Sequence, residues 1–269
     1  MTLKRQIRAC ISKLLIVGVL LNVAAPTVNA AKVQPGVAGL ASVVPGLGQF
    51  LNGDQLESAG WFAVVVLPFL TNDPVAKQIG FGLWQYNLYD AYRDAGADDT
   101  VNHTVYVNWL ANLNPLNLID PIGAPIVGVG ALLGASNSYP VLKRPNLMFM
   151  YTFVGLGEEA LFRGFIYPGL TDVFGGSYWA GAITSSIVFA AAHGVADSSQ
   201  LQAGVMLFRT AAGLLFSWQI TRNRWDLRKN IFAHSWFDIF VSTEELPMIG
   251  ASNSNEKGLA YGVSWKFVW

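Results

Sequence analysis

Apolar stretches follow one another almost without interruption from Gly36 to Val241, and Gly or Pro breaks nearly every one of them. They run near 36–52, 57–71, 78–92, 104–119, 121–136, 145–157, 177–196, 202–221 and 231–243. Such a pattern excludes a simple row of 20-residue spans, because several segments are too short to cross a bilayer alone. Interrupted helices are tolerated in lipid where neighbouring helices satisfy the freed backbone groups. Charged residues make up 13% of the chain and hydrophobic residues 52%, whereas a soluble domain carries about 25% charged residues. The expected fold is therefore all-α: a polytopic helical membrane bundle with a short strand-like C-terminal tail. Seventeen basic and 17 acidic side chains cancel, which gives no basic field for a nucleic-acid partner. The single cysteine, Cys10, excludes a disulfide framework and a cysteine-rich metal site.

The first 30 residues read as a signal peptide or a first transmembrane helix. Lys4, Arg5, Arg8 and Lys13 precede the apolar run Leu14–Val23, and Val28-Asn29-Ala30 offers the small residues of a cleavage site. Residues 31–95 form a helical-hairpin module turned at Pro45-Gly46-Leu47-Gly48-Gln49. Its Pro-Gly-x-Gly-Gln turn resembles those of small bacterial membrane modules and names no chemistry. The polar run 90–103 marks the domain boundary and reads as a solvated linker, assigned to 96–104, rather than a cation site built on Asp94, Asp98 and Asp99. Residues 105–245 form a second helical domain. In 246–269, Leu259, Tyr261, Val263, Trp265, Phe267 and Trp269 alternate with period two, a strand signal, read as an isolated strand or an aromatic interfacial anchor.

Chemistry concentrates in three apolar segments. In Gly157-Glu158-Glu159-Ala-Leu-Phe-Arg163, Glu159 and Arg163 are spaced to pair on one helix face with the acid N-terminal, and Glu158 lies about 100° round the helix. A carboxylate left over beside an ion pair in a dry cavity is suited to take a proton from water. His193 sits near the end of the segment beginning at Ser177. His234 and Asp238, four residues apart, share a face. Each alone reads as a helix–helix contact, but ionisable groups on three membrane helices are functional candidates. Arg209, in an apolar run, reads as the partner of a bundle carboxylate such as Asp238 or Glu159. The basic loop of Arg222, Arg224, Arg228 and Lys229 sets orientation, with this side cytoplasmic.

The pattern Glu158-Glu159-x-x-x-Arg163, Phe189-x-x-x-His193 and His234-x-x-x-Asp238 resembles the three motifs of the CAAX prenyl protease and bacteriocin-processing family over about residues 105–245. The resemblance implies an all-α membrane bundle with a polar intramembrane cavity, and an intramembrane endopeptidase acting on a peptide or protein at the membrane. Glu158 would activate water with His193, His234 and residue 238 would stabilise the oxyanion, and Glu159 and Arg163 would hold the carboxylates in place. The eukaryotic prenyl-protein proteases end the last motif in Asn, whereas ionised Asp238 cannot donate; it could orient and charge His234, or stay protonated in a dry site. No cofactor is expected. Zinc on Glu158, His193 and His234 is the alternative, since two histidines and a carboxylate suit catalytic zinc, but the HExxH signature is absent. A signal peptide would place the protein in a bacterial inner membrane. The rival readings are a catalytically idle scaffold or immunity-type binding protein, and a transporter with a proton path.

Overall fold

A computed structural model describes residues 32–97, 104–135, 141–196 and 202–242, and every regular element in them is helical. The N-terminal signal segment, most of the linker and the aromatic tail lie outside the described residues. Three short or middling helices open the fold: α1 (Pro35–Ala41), α2 (Leu47–Leu51) and α3 (Gln55–Phe69). The long α4 (Pro74–Asp94) follows. After it come α5 (Val105–Leu110), two 3₁₀ turns through Ile119, and α6 (Gly123–Gly134). Helix α7 (Pro145–Glu159) runs directly into a π-helical segment, Ala160–Ile166, and then α8 (Tyr167–Val173). Helices α9 (Tyr178–Ala196), α10 (Ala203–Arg222) and α11 (Arg228–Val241) complete the bundle.

The Pro-Gly-Leu-Gly-Gln turn separates α1 from α2, and its conformation explains its residues. Gly46 has φ +79°, and a side chain there would strike the Ser58 carbonyl, so only glycine fits. Polar groups of α4 hold the turn in place. Asn87 accepts from the Gly46 amide (3.3 Å) and donates to the Ser42 carbonyl (3.1 Å). Gln49, fully buried, donates to Asp90 (3.0 Å), to which the Trp61 indole also donates (2.7 Å). These bonds explain why the polar run from residue 90 does not begin a solvated linker: Asp90 and Arg93 are buried in the last turns of α4.

Helix α7 packs against both α4 and α11, and glycines set its approach. A methyl group on Gly157 would run into the Gly82 carbonyl and Gln85, and one on Gly155 would run into Ser235. Gly130 and Gly134 bring α6 onto Phe237 and the Phe240 carbonyl of α11 in the same manner, the small-residue packing that lets membrane helices meet backbone to backbone. Asp120 accepts from the Ile122 (3.0 Å) and Gly123 (2.8 Å) amides at the start of α6 and ties it to Gln219 (2.8 Å) and Lys229 (3.3 Å).

Among the described residues one helix, α10, is long and apolar enough by itself to cross a membrane. Large apolar side chains nonetheless cover much of the outer surface: Leu56, Ile119, Leu132, Val173, Trp179 and Leu207 are each more than 70% exposed.

The glycine contacts give a paired prediction. Gly157→Ala should lower the thermal midpoint in detergent by an amount corresponding to about 1–3 kcal/mol, the usual cost of overpacking. Gly60→Ala, whose added carbon meets nothing within 4 Å, should leave the midpoint unchanged or raise it. Equal effects of the two, read by fluorescence-detected thermal unfolding, would contradict the packing described.

Candidate active site

All six ionisable residues singled out in the sequence meet at the junction of α7, the π segment, α9 and α11. Their burial is nearly complete, with Glu159 at 0% and Arg163 at 1% exposure. Charges so placed are costly unless paired, and the pairing is dense. Arg163 Nη1 donates to Glu159 Oε1 at 3.0 Å across one helical turn. The guanidinium also lies over the Phe189 ring at 4.3 Å and the Phe216 ring at 5.2 Å, where the ring faces are negative.

The i,i+4 pair forms across a helix that changes its winding. Glu159 is the last residue of α7, and the π turn starts at Ala160. Such turns occur mainly as single insertions at functional sites. Here the wide turn lies between the two carboxylates and Tyr167, on the stretch that carries Arg163.

His234 is the hub. Its Nδ1 lies 2.6 Å from Glu159 Oε1, and its Nε2 lies 3.5 Å from Glu158 Oε2 and 3.6 Å from Asp238 Oδ2. The close orienting partner of His234 is therefore Glu159, with Asp238 farther off on the other ring nitrogen. Glu159 does more than anchor Arg163. Phe216 stacks on the His234 ring at 5.4 Å and fixes its plane. His193 is oriented from its own helix: Nδ1 donates to the Phe189 carbonyl at 2.8 Å, which directs Nε2 to within 3.9 Å of Glu158 Oε2. Glu158 thus faces two imidazole nitrogens belonging to two different helices.

Simple charge accounting indicates where a proton resides. Three carboxylates (Glu158, Glu159 and Asp238) stand against two guanidiniums (Arg163 and Arg209) among these buried groups. One proton on His234, which touches all three acids, brings the cluster to neutrality. His193, with one nitrogen committed to a carbonyl, is suited to remain neutral and offer a lone pair.

Four of these groups, Glu158, His193, His234 and Asp238, line a cavity of about 270 Å³. Its walls are largely apolar, from Pro125, Ile126 and Val129 of α6, Phe208 and Leu215 of α10, and Phe237 of α11. The cavity is thus less polar than expected: Glu158, His193, Arg209, His234 and Asp238 line it, but most of its surface comes from apolar side chains. Arg209, 4% exposed, lies in the wall with Asp238. Glu159, the other carboxylate considered for Arg209, is engaged by Arg163.

Sequence reasoning passed over Asn230. It is fully buried and donates to Glu159 Oε2 (3.3 Å) and the Phe216 carbonyl (2.8 Å). The signal was present: Asn230 lies one turn before His234, as His234 lies one turn before Asp238, so the three form a single stripe on α11.

No curated protein and no solved structure is similar to the chain at a significant level. Residues 140–240, the stretch that holds all six ionisable residues and Asn230, match the family described as type II CAAX prenyl endopeptidase Rce1-like. The match covers residues 140–240, under half of the chain, and supports the resemblance of the three motifs to the CAAX prenyl protease and bacteriocin-processing family.

Proposed function

We propose that this protein is an intramembrane endopeptidase that hydrolyses a peptide bond with a water activated by Glu158. One observation carries the reading: Glu158 faces His193 and His234 at the end of an apolar-walled cavity. The 3.9 Å between His193 Nε2 and Glu158 Oε2 is too long for a direct hydrogen bond and suits a bridging water. Glu158 takes a proton from that water as its oxygen attacks the peptide carbonyl carbon. His193 accepts the second hydrogen bond of the water and aligns it. The carbonyl oxygen gains the electron pair, and His234, protonated on Nε2, donates to the oxyanion. The C–N bond then breaks, and Glu158 returns its proton to the leaving amine. Asp238 and Glu159 keep His234 charged, and Arg163 and Asn230 position Glu159. The substrate is a peptide or membrane-protein segment presented to the cavity from the bilayer.

A polytopic bundle in a bacterial inner membrane is the setting this reading requires. The many exposed large apolar side chains, Trp179, Leu132 and Ile119 among them, support it. A second mechanism rests on a specific spacing. Glu158 Oε2 lies 3.5 and 3.9 Å from the two imidazole nitrogens, so two of the three ligand spacings approach the edge of about 3.3 Å in a tetrahedral zinc site. Zinc held by Glu158, His193 and His234 would supply Lewis acidity to the same water. We favour the metal-free form, in which the nearby Asp238 and Arg209 balance the charge of the cluster.

The test uses the full chain in detergent with a quenched peptide library. Glu158→Gln and His193→Ala should each lower cleavage by at least about a hundredfold, the lower range for loss of a general base, with no effect of a strong chelator on the wild type. Loss of cleavage with chelator and recovery with zinc would select the metal form. Cleavage by Glu158→Gln at the wild-type rate would leave the cavity as a binding site in an idle scaffold. Asp238→Asn should stay within about tenfold of wild type, because the amide keeps the shape and adds donors for the oxyanion; Asp238→Leu should be far slower. Asn230→Ala should reduce kcat by roughly tenfold through loss of one hydrogen bond to Glu159, without changing KM.

A further inference from the structure

A second feature lies away from the catalytic cavity, where α9 begins and α10 ends. A groove of about 400 Å³ runs between these helices, walled by Tyr178, Trp179, Leu214, Ser217, Trp218 and Trp225. Trp179 is 77% exposed and Trp218 53%. Ser217 is fully buried in the wall, and its hydroxyl has no hydrogen-bond partner among the described residues.

The end of α10 is built around this groove at a cost. The Trp225 amide donates to the Ile220 carbonyl (2.9 Å) and the Arg224 amide to the Thr221 carbonyl (3.3 Å), the pairing that closes a helix through a left-handed residue, usually glycine. Arg224 occupies that position with φ +54°, and Trp225 follows at φ +65°. Two consecutive side-chain-bearing residues in this region are strained, and bulky ones most of all; such strain gathers at ligand clamps and functional sites. Its effect is to place the Trp225 ring against Tyr167 (5.2 Å) and Tyr178 (6.2 Å), with Arg224 exposed two residues after the exposed Arg222.

Charge separates these two arginines from their neighbours. Arg228 is held by Asp226 (2.9 Å) and Lys229 by Asp120 (3.3 Å). Arg222 and Arg224 are exposed and form no ion pair among the described residues, and no carboxylate lines the groove. The Arg222 guanidinium lies over the Trp218 ring at 5.3 Å, so the positive charge sits at the rim of an aromatic slot.

We infer that this groove is a binding site for one anionic phospholipid, its phosphate engaged by Arg222 and Arg224 and an acyl chain lying between α9 and α10. Indole and phenol rings favour the headgroup level of a bilayer, and guanidinium matches phosphate in a two-pronged geometry. The inference is independent of proteolysis.

The experiment is native mass spectrometry of the full chain in zwitterionic detergent with equimolar phosphatidylglycerol and phosphatidylcholine of identical acyl chains. Phosphatidylglycerol adducts should dominate on the order of tenfold, and Arg222→Gln with Arg224→Gln should bring them to the phosphatidylcholine level, consistent with about fivefold per arginine at a membrane surface. Arg228→Gln should keep the preference, and Trp218→Ala should weaken both lipids. An unchanged thermal midpoint without lipid separates loss of the site from loss of the fold. Equal binding of the two lipids by wild type, a double variant that keeps the preference, or displacement of phosphatidylglycerol by inorganic phosphate would each overturn the assignment.

Discussion

The contact between Glu159 and its two cationic partners is the constraint around which the second domain is arranged. A carboxylate with no exposed surface can persist only if its charge is met on every side, and Glu159 is met by Arg163, His234 and Asn230. These come from the π segment and from α11, so satisfying one charge clamps two parts of the bundle together. The clamp fixes the plane of His234, and with it the direction in which Nε2 faces Glu158. Removing Arg163 would leave a buried anion short of its principal counter-charge, at a cost of about 3–5 kcal/mol. The geometry agrees with the division of the motif expected from the resemblance: Glu159 and Arg163 pair away from the cavity, and Glu158 lines it.

The N-terminal module enters the same arrangement from behind. Its turn is bonded to α4 through Asn87 and Asp90, and α4 meets α7 where Gly82 faces Gly157. The position of Glu158, the next residue, thus depends on a backbone-to-backbone contact between α4 and α7. Glu57, Asp90 and Asp94 also bring ligand atoms within 4.8 Å of one another, with the Gln49 and Trp61 donors already directed at Asp90.

The two cavities differ in the chemistry they can recognise. The one lined by Glu158 is largely apolar and includes a charge-balanced cluster in its wall, which suits an uncharged extended segment more than a charged head. The groove at the end of α10 carries uncompensated positive charge on an aromatic rim, which suits an anion attached to an apolar chain. Backbone strain at Arg224 and Trp225 accompanies the second and has no counterpart in the catalytic motifs.

Local spacing was enough to read the helical class, the glycine turn at Gly46, and the Glu159–Arg163 and His234–Asp238 pairs, because groups four residues apart meet on any helix. The family motifs were legible for the same reason: each lies within one or two turns. Sequence did not reveal that His234 takes Glu159 as its close partner, that Asn230 completes the cluster, or that Asp90 and Arg93 are buried rather than solvated. Each of these depends on which helices become neighbours, and that follows from glycine contacts between segments far apart in the chain. The π turn after Glu159 was equally hidden, since one extra residue in a turn changes no apolar pattern. Residue types and their periods determined what chemistry the chain could carry; only the packing of α4, α7, α9 and α11 decided that Glu158 would face two histidines.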